Sequence, residues 1–245
     1  MVAMEVCVDC VESAVNAAAG GANRIELCSA LSEGGLTPTR GLLEIVKSCV
    51  CIPVFAMLRP RAGSDFMYSR LEVEVMKKDA KLLMDAGADG FVFGALDESG
   101  RIDEDVCREL LNVVSPLPVT FHRAFDVLVD PLEGLETLVR LGFTRILTSG
   151  QETSAEKGVG LIKSLISKSG NRIKIMPGAG ITENNLANIL NATGAIEFHA
   201  SARRPKKLSV NRVDAKCQMG SVDDCVLLIT CEKLVKEMVR IANCD

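Results

Sequence analysis

The chain contains few histidines and few aromatic residues, and its basic side chains do not outnumber its acidic ones. Its 245 residues include no tryptophan, one tyrosine and two histidines, and 28 Lys and Arg residues are outnumbered by 32 Asp and Glu. Binding to a nucleic-acid backbone needs a concentrated basic face, whereas the only basic run here is residues 203–207 (RRPKK), which contains a proline. We interpret that run as a solvated loop and predict no nucleic-acid partner.

Long apolar runs are missing as well. No run reaches the roughly 18 residues that a membrane span needs. Residues 1–5 lack the basic and apolar regions of a secretory leader. We therefore expect a cytoplasmic chain with no membrane partner. In that setting the ten cysteines are expected to be reduced thiols rather than a disulfide framework.

Short apolar segments alternate with amphipathic ones along the whole sequence. The predicted strands are residues 4–9, 24–28, 53–59, 90–96, 119–125, 145–150, 173–177 and 195–201. The predicted helices are residues 11–19, 39–49, 71–86, 103–113, 131–141, 155–169, 183–190 and 222–242. Eight strand–helix units at this length predict an α/β fold, a (β/α)8 TIM-like barrel, as a single domain over residues 1–245.

An open, doubly wound sheet is the alternative to the barrel. That fold usually has fewer strands and a glycine-rich turn after strand one, whereas the sequence continues there with Cys10 to Ser13 and no glycine. The least regular stretch, residues 203–224, is interpreted either as a loop on the active face or as a disordered insertion.

Polar residues occur at inward positions of the predicted strands. Alternate strand residues point into a barrel, and barrel active sites form where the strands end. The inward residues by this parity are Glu5, Cys7, Asp9, Arg24, Glu26, Cys28, Met57, Arg59, Glu197, His199 and Ser201. Both histidines, His122 and His199, fall late in strands, which favours a ligand or catalytic site. The alternative is an ion-pair network of Glu26, Arg59 and Glu197 that only fixes strand register.

Seven sequence blocks resemble the CutC family of copper homeostasis proteins. They are residues 24–28 (RIELC), 34–38 (GGLTP), 53–61 (PVFAMLRPR), 121–126 (FHRAFD), 147–150 (LTSG), 176–181 (MPGAGI) and 197–202 (EFHASA). The resemblance implies a TIM-like barrel, a cytoplasmic homo-oligomer (a dimer or tetramer) and a part in copper tolerance through copper binding. Ala30 and Ala179 stand where the family pattern would have glycine, which argues against left-handed backbone there.

Copper(I) is the metal that this pattern favours, because it prefers thiolate, thioether and imidazole ligands. Cys7 and Cys28 have the same inward parity on neighbouring strands, which lie roughly 4.8 Å apart. We predict copper(I) between these two thiols, with Met57, Cys10 or His199 as a third ligand. Two other interpretations stay open: both cysteines are small buried hydrophobes, or Cys7 and Cys10 form a redox pair.

A second function is an uncharacterised barrel enzyme that acts on a phosphorylated or carboxylated small molecule. Its candidate catalytic residues are Glu26, Arg59, His122, Arg123, Asp126 and His199. Gly178 and Gly180, with Ser201, follow strands seven and eight, where many barrels bind phosphate; a plain glycine turn is the alternative there. A third function, as a purely structural oligomer partner, fits these inward polar residues least well.

Overall fold

The computed structural model describes residues 1–208 and 226–244. Ten strands lie in these ranges: β1 (Ala3–Val8), β2 (Arg24–Leu27), β3 (Val54–Met57), β4 (Gly90–Phe93), β5 (Val119–Phe121), β6 (Arg145–Thr148), β7 (Lys174–Pro177), β8 (Glu197–Ala200), β9 (Arg203–Lys207) and β10 (Val226–Thr230).

Eight α-helices follow the strands in the described part of the chain. They are α1 (Val11–Ala19), α2 (Arg40–Cys49), α3 (Arg70–Asp85), α4 (Glu104–Val114), α5 (Pro131–Leu141), α6 (Val159–Ser169), α7 (Leu186–Thr193) and α8 (Glu232–Asn243). Short 3-10 helices occupy Leu31–Glu33 and Arg123–Val127. None of these helices combines the length and hydropathy that crossing a bilayer requires.

Strands β1 to β8 form the predicted barrel. Consecutive strands from β1 to β7 pair in parallel, β8 pairs in parallel with β1, and β7 lies against β8 to close the ring. The (β/α)8 prediction is confirmed, and the open doubly wound sheet is excluded. In such a barrel the C-terminal strand ends and the loops after them build one shared mouth.

The inward and outward faces of the strands follow the predicted parity. Val6 and Val8 belong to the large core between strands and helices. Cys28 and Met57 belong instead to a small separate cluster with Phe55 and Val92. The first set holds the helices on the barrel, and the second fills part of its interior.

The region after β8 differs from the prediction. The predicted helix at residues 222–242 is wrong at its start, because Val226–Thr230 is a strand and α8 begins only at Glu232. β10 pairs antiparallel with β9, so residues 203–207 are regular and not a loop. A short apolar run such as that of β10 is compatible with either a helix or a strand. Here the pairing with β9 makes it a strand. Residues 209–225 lie outside the described residues.

The two alanines at expected glycine positions adopt left-handed backbone nevertheless. Ala30 has φ of 48° and Ala179 has φ of 78°. The expectation that alanine argues against such angles is therefore wrong at both places. A left-handed alanine costs roughly 1–2 kcal/mol, and Ala179 borders the cavity described below.

Candidate functional site

A cavity of about 570 Å³ opens at the C-terminal end of the barrel. It brings together all the candidate catalytic residues, and its lining includes Cys7, Glu26, Arg59, His122, Arg123, Asp126 and His199. Gly180 and Ser201 line it too. A cavity of this size at this face is where barrels bind their ligands.

Beneath the cavity, four buried charged side chains form an ion-pair network across the barrel. Arg24 bonds both Glu5 and Glu197, and Arg145 bonds Glu197 through Nε and Nη2. The Lys174 ammonium lies 2.9 Å from Glu197 Oε1. Although burial opposes the charge, Arg145, Arg24 and Lys174 lower the pKa of Glu197 to about 2. A buried ion-pair network therefore exists, but of the three residues that the alternative interpretation named (Glu26, Arg59 and Glu197) only Glu197 belongs to it.

Glu5 connects this network to the cavity through His199. One Glu5 oxygen accepts from Arg24, and the other lies 2.8 Å from His199 Nδ1. Burial alone would raise the pKa of Glu5, but Arg24 and His199 lower it well below its usual value. An ionised Glu5 therefore accepts the Nδ1–H of His199 and leaves Nε2 beside Glu26, 3.8 Å from its Oε2.

Cys7, Glu26 and His199 form a compact, buried group of ligand atoms. The Cys7 sulfur, one Glu26 oxygen and one His199 ring nitrogen all lie within 4.8 Å of one another. The strand register explains the group. Cys7 of β1 stands opposite Glu26 of β2, and His199 of β8 stands opposite Glu5, two residues before Cys7 on β1. Cys7 also lines the cavity, and the cavity gives a metal ion a route to the group.

Cys28 lies on the other side of the Glu26 carboxylate. Its sulfur donates to Glu26 Oε2 at 3.6 Å, and the residue is fully buried against Phe55 and Met57. Burial, with the Glu26 charge adding to it, raises the pKa of the Cys28 thiol well above its usual value. Cys7 pairs in register with Glu26, so Cys28 lies two residues beyond the partner of Cys7, on the side of the mouth.

Glu26 has an unusual environment for a carboxyl group. Burial, with the Glu5 charge adding to it and His199 opposing it, raises the pKa of Glu26 to about 7. Its Oε2 lies 3.8 Å from His199 Nε2, and its buried Oε1 has no hydrogen-bond partner. Near neutral pH this group can therefore donate or accept a proton.

His122 sits at the end of β5 and caps the following 3-10 helix. Its Nδ1 accepts from the Ala124 N–H at 3.2 Å, and its Nε2 is buried without a partner. The ring packs at 4.9 Å from the Phe66 ring. Burial and the nearby Arg59 charge lower the pKa of His122 to about 3, so the ring is neutral.

Arg59 is buried at the end of β3 and ties two loops to the mouth. Its Nη1 donates to the carbonyls of Glu33 and Gly35, and its Nη2 donates to that of Gly63. The Nε–H has no partner. The guanidinium also lies 5.5 Å from the Phe66 ring centre.

Arg123 and Asp126 pair with each other at the rim. Arg123 Nε donates to Asp126 at 2.8 Å, and the arginine side chain is 47% exposed. Asp126 also accepts from the hydroxyl and the N–H of Ser149. We interpret Asp126 as the residue that holds the loop after β6 in place, while Arg123 offers a positive charge at the entrance.

Three predicted residues, Cys10, Cys28 and Gly178, lie apart from the cavity lining. The Gly178 N–H donates to the Thr148 carbonyl in the sheet, and a Cβ there would come within 2.5 Å of Leu147. Gly178 thus allows close packing rather than offering its N–H to an anion. Cys10 precedes α1, where its sulfur donates to Ser13 at 3.2 Å.

Sequence reasoning did not assign a role to Glu5 or Arg145. The parity argument placed Glu5 inside, but it gave no sign that Glu5 orients His199. Arg145 is the first residue of β6 and shares its inward parity with Leu147, which lines the cavity. Extending the parity argument to β6 would have identified it.

Comparison with known proteins identifies a match over nearly the whole barrel. The model of the CutC family matches residues 2–204. The chain is 56% identical over 222 residues to a copper homeostasis protein cutC homolog of Homo sapiens, covering 91% of this chain and 81% of that protein. It is 44% identical to the Drosophila melanogaster homolog of the same name, covering 98% and 94%. The crystal structure of the Streptococcus agalactiae CutC protein superposes with a TM-score of 0.77 at 33% identity, covering 82% of this chain and 99% of that one.

Proposed function

The chain belongs to the CutC family, and from this premise we propose that it is a cytosolic copper homeostasis protein that binds copper(I) at the mouth of its barrel. The observation that carries the proposal is the buried group of Cys7, Glu26 and His199, whose ligand atoms lie within 4.8 Å of one another.

The donor set favours copper(I) over harder metals. A thiolate and an imidazole are ligands that copper(I) accepts, and two or three such ligands satisfy it, whereas structural zinc takes four. We assign Cys7 and His199 as ligands. Cys28 lies outside that group, but its thiol meets the same Glu26 carboxylate, and we propose it as the third ligand.

Glu5 supports this assignment from behind the histidine. Histidines that ligate a metal generally donate the other ring N–H to a carboxylate, which fixes the ring and its tautomer. The contact between His199 Nδ1 and Glu5 Oε1 at 2.8 Å has this form. Because Arg24 holds the Glu5 carboxylate in turn, the Nε2 of His199 is held in one direction before any metal arrives.

Titration of the purified chain with copper(I) tests the proposal. The measurement is competition with a chromophoric copper(I) chelator under strong reductant, repeated with zinc. We expect one copper(I) per chain and binding of copper(I) in preference to zinc. No binding above background, or tighter binding of zinc, would contradict the proposal.

The same titration has an expected pH dependence. Copper(I) must displace the protons of its thiol ligands. The raised pKa of Cys28 means that its proton competes throughout the neutral range. The apparent affinity should therefore fall with decreasing pH, by about tenfold per pH unit for each thiol that must ionise and for the His199 imidazolium. Although burial opposes the charge, the neighbouring Cys7 and Glu26 raise the pKa of His199 well above its usual value. Repeating the chelator competition at pH 6, 7 and 8 measures the slope, and a flat profile would exclude thiol ligands.

A further inference from the structure

Buried polar atoms without partners concentrate around the cavity. Among the described residues, four buried side-chain nitrogen or oxygen atoms have no hydrogen-bond partner. Three of them belong to residues that line the cavity: Glu26 Oε1, Arg59 Nε and His122 Nε2. Leaving such a group unpaired costs about 1–3 kcal/mol, and more for a charged group. Three of them around one cavity indicate a ligand that pairs with them.

The hydrogen-bond pattern shows that two of the three atoms are donors. His122 Nδ1 accepts from the Ala124 N–H, so the proton of the neutral ring is on Nε2. Arg59 is always charged, and its Nε carries a hydrogen. Three of the four Nη hydrogens go to backbone carbonyls, whereas the buried Nε–H has no partner.

The two donors belong to side chains that pack against the same aromatic ring, that of Phe66, which also lines the cavity. Arg59 and His122 each pack against the Phe66 ring, at 5.5 and 4.9 Å respectively. The Arg59 charge is also close enough to affect the ionisation of His122. Two further cationic side chains, Arg123 and Arg203, line the cavity. This side of the cavity thus offers two fixed donors and the charges of Arg59 and Arg203, while Asp126 pairs with Arg123.

We propose that the cavity binds a small organic molecule through an oxyanion, a carboxylate or a phosphate, that accepts hydrogen bonds from Arg59 Nε and His122 Nε2. Charge-assisted hydrogen bonds of this kind are the strong ones in proteins. The oxyanion satisfies both unpaired donors at once. Neither residue belongs to the proposed copper ligands, so this site does not depend on the copper proposal.

The rest of the cavity defines the remainder of the molecule. Leu31, Met57, Leu147 and Ile181 supply an apolar wall, which suits a short carbon skeleton. Glu26 Oε1 is the third unpaired atom and is an acceptor when ionised, so it pairs with a hydroxyl or amine on the ligand. A volume of about 570 Å³ suits a metabolite rather than a single ion.

Binding of simple probes to the metal-free full chain tests the proposal. The probes are inorganic phosphate, followed by ³¹P line width, and butyrate and 4-hydroxybutyrate, followed by proton saturation transfer. Butylamine controls for nonspecific binding. We expect at least one oxyanion to bind at millimolar concentration or better, and butylamine not to bind. Binding of phosphate alone identifies a phosphate ligand, and binding of the carboxylates alone identifies a carboxylate ligand. Absence of binding by all three oxyanions would overturn the proposal.

Two substitutions at His122 separate its donor from its structural role. In His122→Asn the amide oxygen still accepts from the Ala124 N–H, but no donor replaces Nε2. In His122→Gln an amide donor stands close to the Nε2 position. We expect oxyanion binding to weaken at least tenfold in the Asn variant and to stay within about threefold of wild type in the Gln variant. Equal binding by the Asn variant and wild type would remove His122 from the site.

Two further variants keep the test decisive. If the Asn variant does not fold, Arg59→Lys retains the charge but removes the Nε–H, and it should weaken oxyanion binding to a similar extent. Cys7→Ser should keep oxyanion binding while losing copper(I), and His122→Asn should keep copper(I) binding. Loss of oxyanion binding in Cys7→Ser would contradict the separation of the two sites.

Discussion

Replacing Cys7 by serine is expected to weaken copper(I) binding by roughly 100-fold or more. Removing a residue that only supports a metal ligand commonly costs 10–100-fold in affinity, and Cys7 is assigned as a ligand itself. Serine fits the same volume but offers a hard hydroxyl in place of a soft thiolate, which copper(I) does not favour. The measurement is the dissociation constant from chelator competition at fixed pH.

Serine substitutions at other cysteines are the controls for the expected effect of Cys7→Ser on copper(I) binding. Cys28→Ser should also weaken copper(I) binding, because its thiol faces the same carboxylate. Cys107→Ser should leave it unchanged, since Cys107 is buried in α4 and belongs neither to the ligand group nor to the cavity lining. If Cys7→Ser and Cys28→Ser both bind as wild type does, the metal lies elsewhere. If Cys7→Ser and Cys10→Ser weaken binding and Cys28→Ser does not, Cys7 and Cys10 form the site instead.

Replacing Glu197 by glutamine is expected to lower the free energy of unfolding by about 3–5 kcal/mol. Breaking a buried ion pair by removing one partner leaves an uncompensated charge, and losses of this size result. Here the substitution removes the charge that faces both Arg24 and Arg145. Urea unfolding at pH 7 measures the change. Glu237→Gln is the matched control: its carboxylate pairs with Arg240 on the surface of α8, so we expect a loss of no more than about 1 kcal/mol.

The difference between wild type and Glu197→Gln should depend on pH. The folded-state pKa of Glu197 is lowered to about 2, so its ionised form stabilises the fold fully above the unfolded pKa of about 4.3. That stability is lost as the pH falls through about 2. The difference in unfolding free energy should therefore shrink between pH 5 and pH 2. A loss below 1 kcal/mol at pH 7, or a difference constant with pH, would contradict the role of the network.

The barrel and the direction of its inward side chains could be predicted from sequence because both rest on local periodicity. The separation of Val6 and Val8 from Cys28 and Met57 into different clusters follows from the period of two along a strand. Likewise, the late position of His122 and His199 in their strands placed both at the mouth.

The pairing between strands required the structure. Cys7 stands opposite Glu26 and not opposite Cys28. The sequence of either strand alone does not determine this register. For the same reason the sequence did not show that Glu197 pairs with Arg24 and Arg145 rather than with Arg59. The apolar residues Val226–Thr230 form a strand rather than the predicted helix because they pair with β9, whose polar sequence does not indicate a strand.

X-ray absorption at the copper edge of the copper(I)-loaded chain tests the central claim most directly. The assignment of Cys7, Cys28 and His199 predicts a three-coordinate copper(I) with two sulfur ligands and one imidazole nitrogen. It also predicts that Cys7→Ser loses one sulfur ligand or no longer holds the metal. A spectrum without sulfur ligands, or one unchanged by Cys7→Ser, would contradict a copper(I) site at the barrel mouth.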